Sequence, residues 1–119
     1  MRAISEFTSI YLHAGPVDLR KGINGLCMIV DKQLGLNALD GECLFAFTNR
    51  KKNRIRLLYW DKTGFAYWHK HLEEDRFRWP KPGSGASVKL SDQELEWLLD
   101  GIDLSKLKPH TEKHYKSVV

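Results

Sequence analysis

Cysteine is scarce in this chain. Cys27 and Cys43 form no CxxC pair and no disulfide framework, and they suit a reducing cytosol, where a buried thiol packs as a small hydrophobe. Long apolar runs are also missing: none approaches the ~20 residues that a membrane helix needs. The opening residues, Met1-Arg2-Ala3-Ile4-Ser5-Glu6, lack the apolar stretch of a secretory signal. The expected location is cytoplasmic, with no membrane partner. Internal repeats and low-complexity tracts are absent as well.

Catalytic patterns are equally thin. No serine sits in a nucleophile elbow. Gly22-Ile23-Asn24-Gly25 has too few glycines, and no preceding P-loop pattern, to cradle phosphate. Asp18, Asp31, Asp40 and Asp61 are scattered, unlike the acidic cluster that two-metal phosphoryl transfer needs. The sequence therefore supports no enzyme and assigns no catalytic residue, metal or cofactor.

What remains is enough for one domain. The chain has 119 residues and 13.8 kDa, with 42% hydrophobic and 29% charged residues, an ordinary globular balance. Thirteen aromatics supply bulk for a core. The net charge of +4 is uninformative until it is located. Residues 1–42 carry −1, residues 43–90 carry +7, residues 91–105 carry −5 and residues 106–119 carry +3. A basic middle, an acidic patch and a basic tail give local fields that the total conceals.

The apolar periods place the elements. Residues 8–13 read as a strand with Ile10 and Leu12 inward. Asp18 caps a helix of about four turns carrying Leu19, Ile23, Leu26, Cys27, Val30 and Leu34 on one stripe, stopped by Gly35. Gly22 and Gly25 either weaken its first turns or admit a close neighbour. Four β-rich runs follow, at Cys43–Thr48, Arg54–Trp60, Phe65–Leu72 and Arg76–Trp79, joined by short loops. They predict an antiparallel meander, to which Ala86–Leu90 adds a further short strand. Ser91-Asp92-Gln93-Glu94 is a capping box opening a last helix with Leu95, Leu98 and Leu99, closed by Gly101. The expected fold is α+β: an antiparallel meander of four to five strands packed by one longer helix and a short C-terminal helix. The single domain spans residues 1–105, and residues 106–119 form a basic tail, mobile unless a partner orders it.

Arg54 and Arg56 share a face of their strand by its period of two, and Arg76 and Arg78 share a face of theirs. Arg50, Lys51 and Lys52 sit at a loop tip. One side of the sheet is thereby either a solvated polar face or a basic, partly aromatic nucleic-acid surface. His69 and His71 lie on one strand face with Glu73 and Asp75 beyond. HxH on a strand can hold a metal, but no further ligand is fixed by spacing, and a metal-dependent nuclease is the weakest reading. The acidic helix from Asp92 to Asp103 is either a solvent face or a dock for a basic partner.

Four segments in order resemble a known family: Asp18-Leu19-Arg20-Lys21-Gly22-Ile23-Asn24-Gly25-Leu26, Trp60-Asp61-Lys62-Thr63-Gly64-Phe65, Leu72-Glu73-Glu74-Asp75-Arg76-Phe77-Arg78-Trp79-Pro80 and Leu98-Leu99-Asp100-Gly101-Ile102-Asp103. The pattern, over about residues 7–104, is similar to the accessory (TnpB-type, second-frame) proteins of insertion-sequence-66 elements in bacteria. The resemblance implies a role in transposition beside a separate, larger transposase, and no catalytic residue. It puts DNA in the setting, with the element ends and the transposase as expected partners. Arg20, Lys21, Arg50, Lys51, Lys52, Arg54, Arg56, Arg76 and Arg78 then become the candidate DNA contacts, with Trp60 and Trp79 as candidate aromatic contacts. The alternative is an adaptor that docks on the transposase without touching DNA.

Overall fold

The computed structural model describes residues 1–81 and 83–106. Five strands, β1 (Ser9–His13), β2 (Cys43–Thr48), β3 (Arg54–Asp61), β4 (Gly64–His71) and β5 (Ser87–Leu90), form one sheet in the order β4-β3-β2-β1-β5. The helices are α1 (Gly22–Lys32) and α2 (Asp92–Leu99). The fold is α+β, as the periods predicted. The tail expected over residues 106–119 lies, beyond Lys106, outside the described residues.

One strand pair is parallel. β1 and β2 run the same way, with Ile10 beside Leu44 and Leu12 beside Ala46. A parallel pair needs a crossover, and α1 supplies it. The remaining pairs are antiparallel: β2 with β3, β3 with β4, and β5 with β1. The meander proper is therefore β2-β3-β4, with β1 and β5 added on its other side.

A helix packs on each face of the sheet. On one, Leu26, Ile29 and Val30 of α1 pack with Leu19, Ala38, Phe45, Phe47 and Leu58. On the other, Phe7, Ile10, Leu12, Leu44, Ile55, Leu57 and Tyr59 pack with Leu95 and Leu98 of α2. β2 is central and buried from Leu44 to Thr48, which is why its sequence is apolar without alternation. The expectation that the helices would pack on one face only is thus corrected.

Arg76–Trp79 is not a strand. The alternation is real, with Phe77 and Trp79 buried and Arg76 and Arg78 exposed, but no ladder holds it. The segment is an extended strap. The Phe77 N–H donates to the Lys52 carbonyl at 2.7 Å, and the Trp79 indole N–H donates to the His13 carbonyl at 2.9 Å. Its side chains seal the α2 side of the core.

The first helix also starts later than predicted. Asp18 caps a short 3-10 turn, Leu19–Lys21, accepting from the Arg20 N–H at 3.0 Å. The chain then swings at Gly22, φ 69° and ψ −167°, before α1 proper. That backbone region is essentially reserved for glycine. Gly22→Ala is expected to lower stability by about 1–3 kcal/mol, read as a shift in urea midpoint; an unchanged midpoint would rule out the strain. At the other end, Ser91 and Glu94 form the predicted reciprocal capping box of α2.

Candidate nucleic-acid interface

Strand direction decides where the basic residues meet. β1 and β2 end, β3 begins, β4 ends and β5 begins at the same end of the sheet. The connections there are residues 14–21, 49–53 and 72–86. Arg20, Lys21, Arg50, Lys51, Lys52, Arg54, Arg76 and Arg78 all lie in or beside them, and Arg56 is two residues further along β3. The cations therefore converge on one end of the sheet, not on a face. The carboxylates among them are Asp18, Glu73, Glu74 and Asp75.

The 49–53 loop is tightly built. The Asn49 side chain donates to Asn53 Oδ1 at 2.8 Å and accepts from the Arg54 N–H at 3.2 Å. Lys52 takes the left-handed conformation, φ 58°, and its N–H donates to the Asn49 carbonyl at 3.0 Å. This turn divides the cations between two grooves. One, of about 730 Å³, runs between residues 16–20 and the loop and takes Arg20, Arg50, Lys51 and Arg54. The other, of about 610 Å³, takes Lys52, Arg76, Arg78, Lys81 and Lys89 over Phe77, Trp79 and Val88, with Glu94 and Asp103 on its rim.

Two candidates are already occupied by the fold. Arg20 grips Asp18 with two hydrogen bonds, Nε to Oδ1 at 2.9 Å and Nη2 to Oδ2 at 3.0 Å. Those side-chain bonds, then the Arg20 backbone N–H, hold the Asp18 carboxyl down to about 2, so the pair stays ionised and the guanidinium is locally neutralised. Arg56 is half-buried. It donates from Nη1 to the Leu19 carbonyl at 2.9 Å, and its guanidinium lies 4.9 Å from the Tyr67 ring. It braces the 3-10 turn against the sheet, although its buried Nε has no partner among the described residues. By contrast, the ion pairs among the described residues are Arg2–Glu6, Arg20–Asp18 and Lys32–Asp31. None involves Lys21, Arg50, Lys51, Lys52, Arg54, Arg76 or Arg78.

The two tryptophans stand differently toward this cluster: Trp79 lines the floor of the second groove, and Trp60 lies away from both. Trp79 is buried in the core. Trp60 packs edge-on to Phe65 at 5.0 Å, six residues along β3 from Arg54 and so about 20 Å away. The residues that do join the cluster are on β4. The register sets His71 opposite Arg54, His69 opposite Arg56, and Tyr67 opposite Leu58. The signal for this was present in the Asp61–Gly64 turn, whose length fixes every later pair of the hairpin.

Burial first, then the charges of Arg56, Arg54 and His71, hold the His69 imidazole below its ordinary range. The unfolded chain therefore binds this proton more readily. The His69 contribution to stability is complete above about pH 6.5 and is lost as pH falls through the lowered folded value. His69→Gln is expected to flatten that part of the acid limb in urea titrations. An acid limb identical to that of the wild type would exclude the effect.

Among the described residues, no group of three or more His, Cys, Asp or Glu could hold a metal ion. The thiols are not activated either. Burial, followed by Asp40, pushes Cys43 up to about 11, and burial raises Cys27, the reverse of what a nucleophile needs. No helix among the described residues is long and apolar enough to cross a membrane.

Known proteins place this geometry in context. The family described as "IS66 Orf2 like protein" matches residues 8–109. Two proteins of Sinorhizobium fredii are similar over most of their length. Uncharacterized protein y4hO is 35% identical over 94 residues, covering 79% of this chain and 80% of its own. Uncharacterized protein y4jC is 34% identical over 93 residues, covering 78% of each. No solved structure matches.

Proposed function

The chain belongs to the IS66 Orf2-like family of insertion-sequence accessory proteins, and we propose that it assists transposition without catalysis by gripping DNA at the basic end of its sheet. One observation carries this reading. Arg50, Lys51, Lys52, Arg54, Arg76 and Arg78 gather on fixed loops and a pinned strap with no carboxylate partner among the described residues. Folding alone does not require a concentration of like charge, which repels itself. Phosphates relieve that repulsion and release counterions. Lys21 extends the set, whereas Arg20 and Arg56 act mainly as braces. The natural targets are the element's own ends, in company with its transposase.

The test is a mobility-shift titration with element-end DNA at several salt concentrations. The complex is expected to form at low salt and weaken steeply as salt rises; no complex at low salt would end the proposal. A pH arm adds a second check. Phosphate beside His69 and His71 favours the protonated rings, so affinity is expected to rise as pH falls from about 7.5 to about 5.5, and His69→Gln with His71→Gln is expected to remove that rise.

A second reading rests on a different surface. Met28 and Leu39 are 62% and 56% exposed beside a groove of about 550 Å³ between α1, residues 36–39 and Phe65. Exposed apolar side chains around a groove suit a protein partner. If this is an adaptor surface, the protein co-purifies with the transposase after nuclease treatment, and Met28→Lys abolishes the capture.

A further inference from the structure

The α1 side of the β3–β4 hairpin is only partly roofed. α1 covers Phe45, Phe47 and Leu58 and packs against Phe65, but it leaves the rest of this face of β4 open. Tyr67, His69 and His71 are exposed there, with Phe65 half-buried. The opposed β3 residues on the same face are Trp60, Leu58, Arg56 and Arg54. β4 is the edge of the sheet, so no further strand among the described residues closes this face.

Two chemistries run along one strip. Tyr67 offers an exposed ring with half-buried Phe65 beside it, and His69, His71, Arg54 and Arg56 follow them. No carboxylate occurs among the eight positions. Side chains two apart on a strand are about 6.7 Å apart, roughly twice the 3.4 Å step of stacked bases. A base can therefore lie on each ring without crowding its neighbour. The Tyr67 ring is held in advance, because the Arg56 guanidinium packs on it at 4.9 Å while donating to the Leu19 carbonyl. The strip meets the basic end of the sheet at Arg54, which also lines the groove against residues 16–20.

We infer that this strip takes unpaired nucleobases: a single DNA strand stacks its bases on Tyr67 and Phe65 and sets its phosphates against Arg54, His69 and His71. A duplex offers its base faces to no protein ring, because they are stacked on one another. A single strand exposes them, and stacking on aromatics beside a cationic track is a sequence-tolerant way to bind it. The inference rests on the DNA-binding reading above and sharpens it to strand state.

The experiment compares labelled single-stranded DNA with the matching duplex, of about 15 nucleotides to stay within the reach of one small domain, by fluorescence anisotropy on the whole chain. The single strand is expected to bind more tightly than the duplex. Tyr67→Thr, which keeps a strand-forming residue at an exposed position, is expected to weaken single-strand binding about five- to a hundredfold and to change duplex binding less than twofold. Tyr67→Phe is expected to restore the wild-type value, which separates stacking from a folding defect. Equal affinity for both forms, or single-strand binding unchanged in Tyr67→Thr, overturns the inference and leaves DNA binding standing. Binding of neither form at low salt overturns the DNA reading, and the inference with it.

Discussion

Phe77→Ala is expected to destabilise the protein by about 3–5 kcal/mol, the usual cost of emptying a buried phenylalanine site. Phe77 is fully buried, in the cluster that joins Ile10, Leu12, Leu44, Ile55 and Leu57 of the sheet to Leu95 and Leu98 of α2. Its segment has no ladder to fall back on. The strap is tied by the Phe77 N–H to the Lys52 carbonyl, by Leu72 N–H to the Asn53 carbonyl at 2.8 Å, and by the Trp79 indole to His13. Collapse of the strap into the vacated space would break the first of these, so little relaxation offsets the cavity. A loss of this size is a large share of the ~5–15 kcal/mol that holds a typical domain. Chemical denaturation monitored by tryptophan fluorescence reads it directly. Arg76→Ala, one residue away and exposed, is expected to stay within about 0.5 kcal/mol. Equal effects from the two would mean that the strap is not part of the core.

The strap also marks where the sequence stops being legible. The alternation Arg76-Phe77-Arg78-Trp79 reports burial, which belongs to side chains. A strand is a property of paired backbones, and here the partners are a loop carbonyl and an indole reaching across the fold. Where local chemistry suffices, reading is sharp: Cys43–Thr48 matches β2, and the Ser91–Glu94 box opens α2. The parallel pair was written as strand, helix, strand over residues 8–48, the order of a crossover. The continuous apolar run of β2 signalled burial on both faces. The site was harder. Its cations were identified as residues, but whether they form a face or an end depends on sheet order. Arg56 is taken up by the carbonyl of Leu19, 37 residues away in sequence, and Trp79 by that of His13, 66 away. No local pattern carries such pairings. The Arg54–His71 and Arg56–His69 alignments, in contrast, followed from a two-residue turn and the period of two.

Removing charge from the 49–54 loop alone is expected to lower duplex DNA affinity by about a thousandfold at 0.1 M salt, on counterion-release arithmetic. The variant is Arg50→Gln, Lys51→Gln, Lys52→Gly and Arg54→Gln together. Each neutralised phosphate adds about 0.9 to the slope of log affinity against log salt, so each is worth about eightfold at 0.1 M relative to 1 M. Three to four phosphates left without their cations give the figure, and the slope becomes shallower by about 3. The fold is expected to survive, because the loop is held by its backbone and by Asn49 and Asn53. Glycine at position 52 also suits the left-handed backbone that lysine adopts there at φ 58°. Lys62 supplies the matched control. It has the same charge and the same left-handed backbone, φ 50°, but sits at the far end of the β3–β4 hairpin, about 23 Å along the strand from Arg54. That is more than twice the ~10 Å screening length at 0.1 M salt. Lys62→Gly is therefore expected to leave affinity within about twofold, since a distant exposed charge is largely screened. If the loop variant and Lys62→Gly reduce affinity by the same factor per charge, binding follows net charge and not the assembled end of the sheet. If the loop variant binds as the wild type does, the basic end is not where the phosphates sit.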